Sequence, residues 1–443
     1  MKPKSFSGGI LLDPAKGATE KKPIQRITPP KKVVLPLLQH TGASLEPLVK
    51  KGDQVRRGQK IADAEAFVTA PVHASVSGKV AGVEEWWHPV LGRFRAVVIE
   101  NDFQELLEVR EPLPEDIESL DPVFLREWIR EGGMVGLGGA AFPTHVKVSP
   151  PPGKKIDSLI VNGAECEPYL TCDHRVMLER TELVLWGVRI LARSCGAGRV
   201  YVGIEENKED CIERFEKLRK DFPLPLAVVK LPTRYPQGSE KQLIKAILGR
   251  EVPPGGLPLD VGVVVNNVQT AWAVGRMARE GIPLLERVIT MGGDCLKEPG
   301  NIEVPLGTLL EEVVAFCGGL VKEPRKIIMG GPMTGIAQVS LEVPVVKGSS
   351  GFLFFSQIPT KREYPCIRCG RCVEGCPMFL VPSDLAKLSE FKALEEAEKN
   401  RILDCMECGC CSYVCPAGIE IVQRIKLAKG EILRRRRKGG VKN

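Results

Sequence analysis

Nine of the fifteen cysteines fall between Cys366 and Cys415, and eight of those nine form two copies of one spacing. CIRCGRCVEGCP sets Cys366, Cys369, Cys372 and Cys376 ahead of Pro377, and CMECGCCSYVCP sets Cys405, Cys408, Cys411 and Cys415 ahead of Pro416. Both read C-x2-C-x2-C-x3-C-P. Three thiolates this close let a short loop wrap one cluster, and thiolate is the donor that suits soft iron–sulfur centres. A structural zinc takes four ligands in two C-x2-C pairs, which leaves the third cysteine and the proline of each run without a purpose. A disulfide framework belongs to oxidising compartments. Cys410 lies inside the second run but off its spacing and reads as a bystander, and the other six cysteines are scattered.

The double run resembles the two-cluster ferredoxins. That resemblance implies cross-ligation, in which three cysteines of one run and the fourth of the other hold each cluster. Cys366, Cys369, Cys372 and Cys415 would hold one four-iron four-sulfur cluster, and Cys376, Cys405, Cys408 and Cys411 the second.

A second chemistry-bearing stretch is GMVGLGGAAFPTHVK. Gly136 to Ala141 matches the G-x-G-x-x-A dinucleotide fingerprint, yet FLREWIREGGMV ahead of it reads as helix and loop, whereas the fingerprint must follow a strand. What remains is a run of small residues whose amides can approach a planar or phosphorylated ligand, followed by Phe142, Pro143 and the cation Lys147. His145 beside it reads as a packing residue, the commoner role of a lone loop histidine. No general acid or base is assigned.

GMVGLGGAAFPTHVK, NGAECEP, YPQGSEKQ and VNNVQT occur in the order and approximate spacing of the flavin- and NADH-binding subunit of respiratory complex I, which this region resembles. The resemblance implies a non-covalent FMN cradled by Gly136, Gly138, Gly139 and Lys147. Asn162, Gly238, Asn266, Asn267 and Thr270 would surround its ring, ribityl chain and phosphate, with Lys147 answering the phosphate charge. Phe142 would stack on the adenine of NADH, and Glu165, Glu167 and Tyr235 would line the flavin and nicotinamide end. Leu137, Ala164 and Ser239 depart from that family's usual arginine, aspartate and glutamate.

These residues need elements to position them. After an N-terminal extension over 1–32, residues 33–105 read as short strands broken by turns. LEPLVKKGDQVRRGQKIADAEAFVTAPVHASVSGKV resembles the lipoyl and biotinyl carrier domains. Ala66 and Phe67 stand where their attachment lysine would be, so the resemblance implies a barrel-sandwich fold with a structural or docking role. Over 120–285 the pattern is α/β, with apolar runs at Ser158–Val161, Val200–Ile204, Leu226–Val229 and Val261–Val265 predicting a largely parallel sheet. Val184, Val188 and Leu191 share one face of a helix that stops at Gly196. Polar loops begin after the first and last strands, at Asn162 and Asn266, where ligands of open α/β sheets sit. Residues 286–340 resemble a soluble-ligand-binding β-grasp (SLBB) unit, with strands at Val288–Met291 and Lys326–Met329. Thr308 and Glu311 have capping-box spacing ahead of a helix over Leu309–Phe316. Residues 361–430 are cysteine-rich and helical, and 431–443 form a basic tail.

The chain of 443 residues has a formal charge of +7, with 43% hydrophobic and 26% charged residues. At roughly 150 residues per domain this is about three domains, and neither a disordered nor a multi-span membrane protein fits. No stretch reaches the roughly 18 apolar residues of a transmembrane helix. The first thirty residues carry no signal-like apolar region, so a cytosolic location is expected. The run Arg434 to Lys438 reads as a frayed, solvated tail able to touch anionic lipid or an acidic partner. With five Trp, five Tyr and no recognised module, nucleic acid is not expected as a partner.

The whole order of barrel-sandwich module, complex-I-like flavin domain, β-grasp unit and two-cluster ferredoxin tail resembles the C subunit of the Rnf complex, the ion-translocating ferredoxin:NAD oxidoreductase. This implies a multidomain α/β plus β oxidoreductase subunit that exchanges hydride between NAD(H) and FMN and single electrons with two 4Fe-4S clusters. It would sit as a peripheral protein on the cytoplasmic face of the inner membrane, docked on the membrane core and the ferredoxin-accepting subunit. A related cobalamin reductase places the barrel-sandwich module after the clusters, the reverse of the order here. A scaffold with a degenerate flavin domain, as in the Na+-pumping quinone reductase, is opposed by the intact VNNVQT and Lys147.

Overall fold

The computed structural model describes residues 5–359 and 362–439. Between Lys32 and Asn101 the short strands form two sheets. Lys32–Pro36, Gly92–Asn101, Gly78–His88 and Gln54–Val55 make one, and Glu46–Pro47, Lys60–Asp63 and Val72–His73 the other. Alternation along Lys32–Pro36 explains how the module is both closed and docked. Val33 and Leu35 join Val97 and Ile99 in the main core, while Val34 packs with Ala96 and Val98 against Leu309 of the β-grasp unit.

The α/β region carries a fully parallel four-stranded sheet in the order Leu226–Leu231, Arg199–Glu205, Ser158–Gly163, Val263–Asn267. The helix Thr181–Cys195 ends where the sequence predicts, at Gly196 with φ +77°, a left-handed turn that glycine adopts without strain. This helix crosses Val268–Glu280 at two glycines. A Cβ on Gly187 would lie 1.7 Å from the Ala271 carbonyl oxygen, and one on Gly275 would lie 1.8 Å from that of Leu183. The missing side chains let the helix that starts at VNNVQT lie flush on its neighbour.

The β-grasp unit is larger than the span 286–340. A six-stranded sheet takes in Gly351–Phe355 at its centre and Ile24–Arg26 from the N-terminal extension at its edge. The capping box is not formed: the helix runs Leu310–Phe316 with Leu309 at its N-cap, and the Thr308 hydroxyl donates to the Pro305 carbonyl instead. The cysteine-rich region is helical as expected. Its last helix, Ile421–Gly439, runs on through the basic stretch, where Arg434 and Arg435 pair with Glu431 and Arg436 with Glu398. That stretch is therefore helix and not a frayed tail as far as Gly439. Residues 440–443 of the tail lie outside the described residues.

Replacing Gly275 by alanine forces the two helices apart, and overpacking of this kind lowers stability by about 1–3 kcal/mol. Chemical denaturation of G275A checks this against G198A, whose Cβ meets nothing within 4 Å and which should unfold with the parent.

Candidate functional site

Strand order in the parallel sheet reverses between Ser158–Gly163 and Val263–Asn267, and the crevice outside the carboxyl ends of such a pair is where open α/β sheets bind ligands. A cavity of about 490 Å³ lies there, within the usual range for small-molecule sites. Gly138, Gly139, Asn162, Glu165, Glu167, Gly238 and Asn267 all line it. Gly138 must be bare, because a Cβ would stand 2.6 Å from the Asn267 amide nitrogen. Asn267 caps its helix by accepting from Gln269 N–H, and its Nδ2 donates to Asp173 at 2.6 Å. Asn162 donates to the Gly238 carbonyl at 2.8 Å, joining two of the four sequence motifs.

The other candidates lie outside this lining. Gly136 donates its N–H to the Phe142 carbonyl at 2.8 Å, which closes the neck of the glycine-rich loop. The Thr270 hydroxyl accepts from Leu137 N–H at 2.9 Å and donates to the Val135 carbonyl, pinning the loop from beneath. Asn266 follows the two-residue period of its strand and faces away from Asn267. It is buried, with neither amide atom partnered. Lys147 is paired with Glu240 at 2.6 Å. Phe142 is half-buried. Tyr235 is buried beside the cysteines, its hydroxyl donating to the Cys408 carbonyl at 2.8 Å. His145 is the packing residue expected, its Nε2 3.0 Å from the Phe67 carbonyl of the barrel-sandwich tip.

Several lining residues were not singled out from sequence. The loop Met329–Ile336 of the β-grasp unit lines the cavity, and its glycines in GGPMTG are the signal that marks it. It meets Glu167 closely: the carboxylate accepts from Met333 N–H at 3.0 Å and Thr334 N–H at 2.9 Å. Asp173, Cys166, Ser350, Met406, Glu407 and Lys426 also line the cavity.

Two buried lysines hold the backbone of the segment 164–170. Lys16 Nζ donates to the carbonyls of Glu165 and Glu167, each at 3.0 Å, and to that of Leu170. Lys208 Nζ donates to the Ala164 carbonyl at 2.8 Å and pairs with Glu205. The Glu165 carboxylate accepts from Asp173 N–H at 2.7 Å, at the start of the helix Cys172–Glu179. Burial pushes the Glu165 carboxyl up to about 7 against the pull of Lys16, and burial also raises Glu167.

The two cysteine runs fold alike. Arg368 and Glu407 occupy equivalent places with φ of 56° and 58°, and Gly370 and Gly409 follow with φ of 77° and 81°. Cys366, Cys369, Cys372 and Cys415 line one outward-opening cavity. Cys376, Cys405, Cys408 and Cys411 line another, and Cys410 lines it too. Cys366 and Cys369 are exposed, whereas Cys376, Cys408 and Cys411 are buried. Met406 lines both this inner cavity and the 490 Å³ cavity.

Four family models match consecutive parts of the chain. They are an RnfC barrel-sandwich hybrid domain over residues 4–104, a Nuo51 FMN-binding domain over 129–276, an SLBB domain over 288–337 and a 4Fe-4S dicluster domain over 364–419. Among solved structures, an NAD+-reducing [NiFe]-hydrogenase chain shares the fold with a TM-score of 0.51 and 19% identity, over 72% of this chain and 65% of that one. The chain is 48% identical to the C subunit of the proton-translocating ferredoxin:NAD(+) oxidoreductase complex of Clostridium ljungdahlii, over 97% of this chain and 94% of that one. It is 45% identical to the C subunit of the Na(+)-translocating ferredoxin:NAD(+) oxidoreductase complex of Acetobacterium woodii, over 98% of both. No helix among the described residues is long and apolar enough to cross a membrane. With 48% and 45% identity sustained over 97% and 98% of its length, the chain belongs to the family of C subunits of ion-translocating ferredoxin:NAD(+) oxidoreductase complexes.

Proposed function

We propose that the cavity at the sheet's reversal holds FMN and admits NAD(H), and that the two cysteine cavities hold 4Fe-4S clusters which exchange electrons with it one at a time. The residues fit these groups. A bare glycine-rich loop and an asparagine fixed at a helix N-terminus suit a flavin nucleotide. Each cysteine cavity offers three spaced thiols from one run and one from the other, the set a cubane cluster requires, with Cys410 a fifth thiol at the inner one. FMN, when bound, supplies the conversion between the two electrons of a hydride and the single electrons of a cluster.

The observation that carries this reading is Met406, which belongs to the cavity of Cys376, Cys405, Cys408 and Cys411 and also to the cofactor cavity. One side chain between two redox sites is a short crossing. The cluster held by Cys366, Cys369, Cys372 and Cys415 would then be the outer one, where exposed Cys366 and Cys369 let a partner approach. As the C subunit the chain would dock on the membrane core and the ferredoxin-accepting subunit, at the cytoplasmic face of the inner membrane.

Protein purified and reconstituted without oxygen should carry about eight irons and one FMN per chain, and NADH should bleach both flavin and cluster bands. Clusters without flavin and without a response to NADH would overturn the reading. Cys376→Ser should remove the inner cluster and stop NADH from reducing the outer one, whereas Cys415→Ser should leave the inner cluster reducible. Electron paramagnetic resonance separates the two.

Glu165 gives a pH signature. With its carboxyl near 7, the cavity gains a negative charge as pH rises through that value, and this charge opposes electrons placed on the flavin. The flavin midpoint should therefore fall more steeply with pH above neutrality in the parent than in Glu165→Gln, as measured by spectroelectrochemical titration.

A further inference from the structure

Arg287 stands on the strand Glu286–Gly293 and is fully buried, at 0% exposure. A guanidinium keeps its charge in protein surroundings, and a buried charge is costly unless an opposite one answers it. Among the described residues no carboxylate forms an ion pair with Arg287 and its Nη1 has no partner; Asp173, already bonded to Asn267 and Gln269, acts on it only from beyond contact. Its neighbour Glu286 is taken by Arg57 and Arg276.

The two bonds it does make are directed. Nε donates to the Ser349 carbonyl and Nη2 to the Leu137 carbonyl, both at 2.9 Å. Each carbonyl shares a peptide unit with the N–H of the next residue, Ser350 in one case and Gly138 in the other. Both of those residues line the cofactor cavity. A charged donor on a carbonyl draws electron density from its peptide and strengthens the attached N–H as a donor. One buried cation thus acts on two walls of the cavity.

The other cations near the glycine-rich loop are spoken for. Lys147 is held by Glu240, and position 137 itself is a leucine. Lys16 and Lys208 are paired with Glu165 and Glu205, and Lys426 in the cavity lining lies 3.9 Å from Glu407. Lys347 donates to the Pro71 and Gly133 carbonyls, and burial draws it down to about 7.

We infer that Arg287 is a positioning residue for a nucleotide phosphate, its charge reaching the ligand through the Leu137–Gly138 and Ser349–Ser350 peptides. This rests on the flavin-nucleotide reading of the cavity. The phosphate is that of FMN or of the dinucleotide, and paired ligands separate the two.

The test uses the full chain in parent, R287M, R287Q and R287K forms. Affinities are measured for FMN against riboflavin, and for NADH against dihydronicotinamide riboside. R287M and R287Q should weaken the phosphate-bearing member of one pair by about tenfold or more while the phosphate-free member changes by less than about twofold, and R287K should retain most of the affinity. The pair that responds identifies the nucleotide. Equal loss for both members of a pair would make Arg287 a spacer of the walls and overturn the inference, as would no loss in either pair. If R287M does not fold, R287Q against R287K decides, since glutamine still donates hydrogen bonds but carries no charge. A parent protein that binds no flavin would overturn the flavin reading itself, an outcome distinct from a parent that binds FMN with variants that do not discriminate.

Discussion

The ammonium of Lys16 holds this site in shape. It is 5% exposed and spends its three N–H groups on three carbonyls of one short segment, those of Glu165, Glu167 and Leu170. A buried ammonium needs all three acceptors. The backbone supplies them by curling, with Glu165 and Tyr169 at φ of 47° and 68°. With the carbonyls turned inward, the Glu165 carboxylate stays 3.9 Å from the ammonium and accepts from Asp173 N–H at the helix start, while that of Glu167 reaches the amides of Met333 and Thr334. A cation on the N-terminal extension therefore sets where two acidic side chains of the cavity stand. The same extension continues into the β-grasp sheet at Ile24–Arg26 and is bridged at Ile10 to Tyr235. Residues outside every sequence motif thus add to the direct contacts between motifs, such as Asn162 to Gly238 and Leu137 to Thr270.

The barrel-sandwich module meets the site in a similar way. Where a carrier domain would present a lysine, Phe67 packs edge-on to His145, and the Thr41 hydroxyl donates to the Ala140 carbonyl at 2.7 Å. The tip that swings in a carrier is here fastened to the end of the glycine-rich loop. Loss of the attachment residue and gain of this contact are two aspects of one change, from a moving arm to a fixed wall.

Legibility in the sequence followed the range of the interaction. Cysteine spacing, the strand–helix alternation and the turn at Gly196 are local and could be read directly. The asparagines after the last strand were legible as residues but not as directions: a period of two places Asn267 at the cavity and Asn266 on the far side, and only the strand's last paired residue fixes which is which. Lys147 carries the right charge beside the right loop, but its partner Glu240 comes from another helix. Tyr235 sits in a motif of the flavin region and yet bonds to Cys408, because the cysteine-rich domain folds back onto it. Thr308 and Glu311 had the spacing of a capping box, and the tight turn to Pro305 claimed the threonine hydroxyl first.

Burial grades the two cysteine cavities in a way the repeat alone does not. The runs are alike in spacing and in backbone, but the inner one is pressed against the flavin region and the outer one faces solvent. Exposure and hydrogen bonding to sulfur set the potential of a cluster. Clusters held by these two ligand sets would therefore differ in potential, and the difference would follow from where the second run docks. Tyr235, Met406 and Cys410 make that dock on the inner side. Two equal halves of a repeat are made unequal by one contact with a third domain, and on the proposed reading that inequality would give a chain of redox sites a direction.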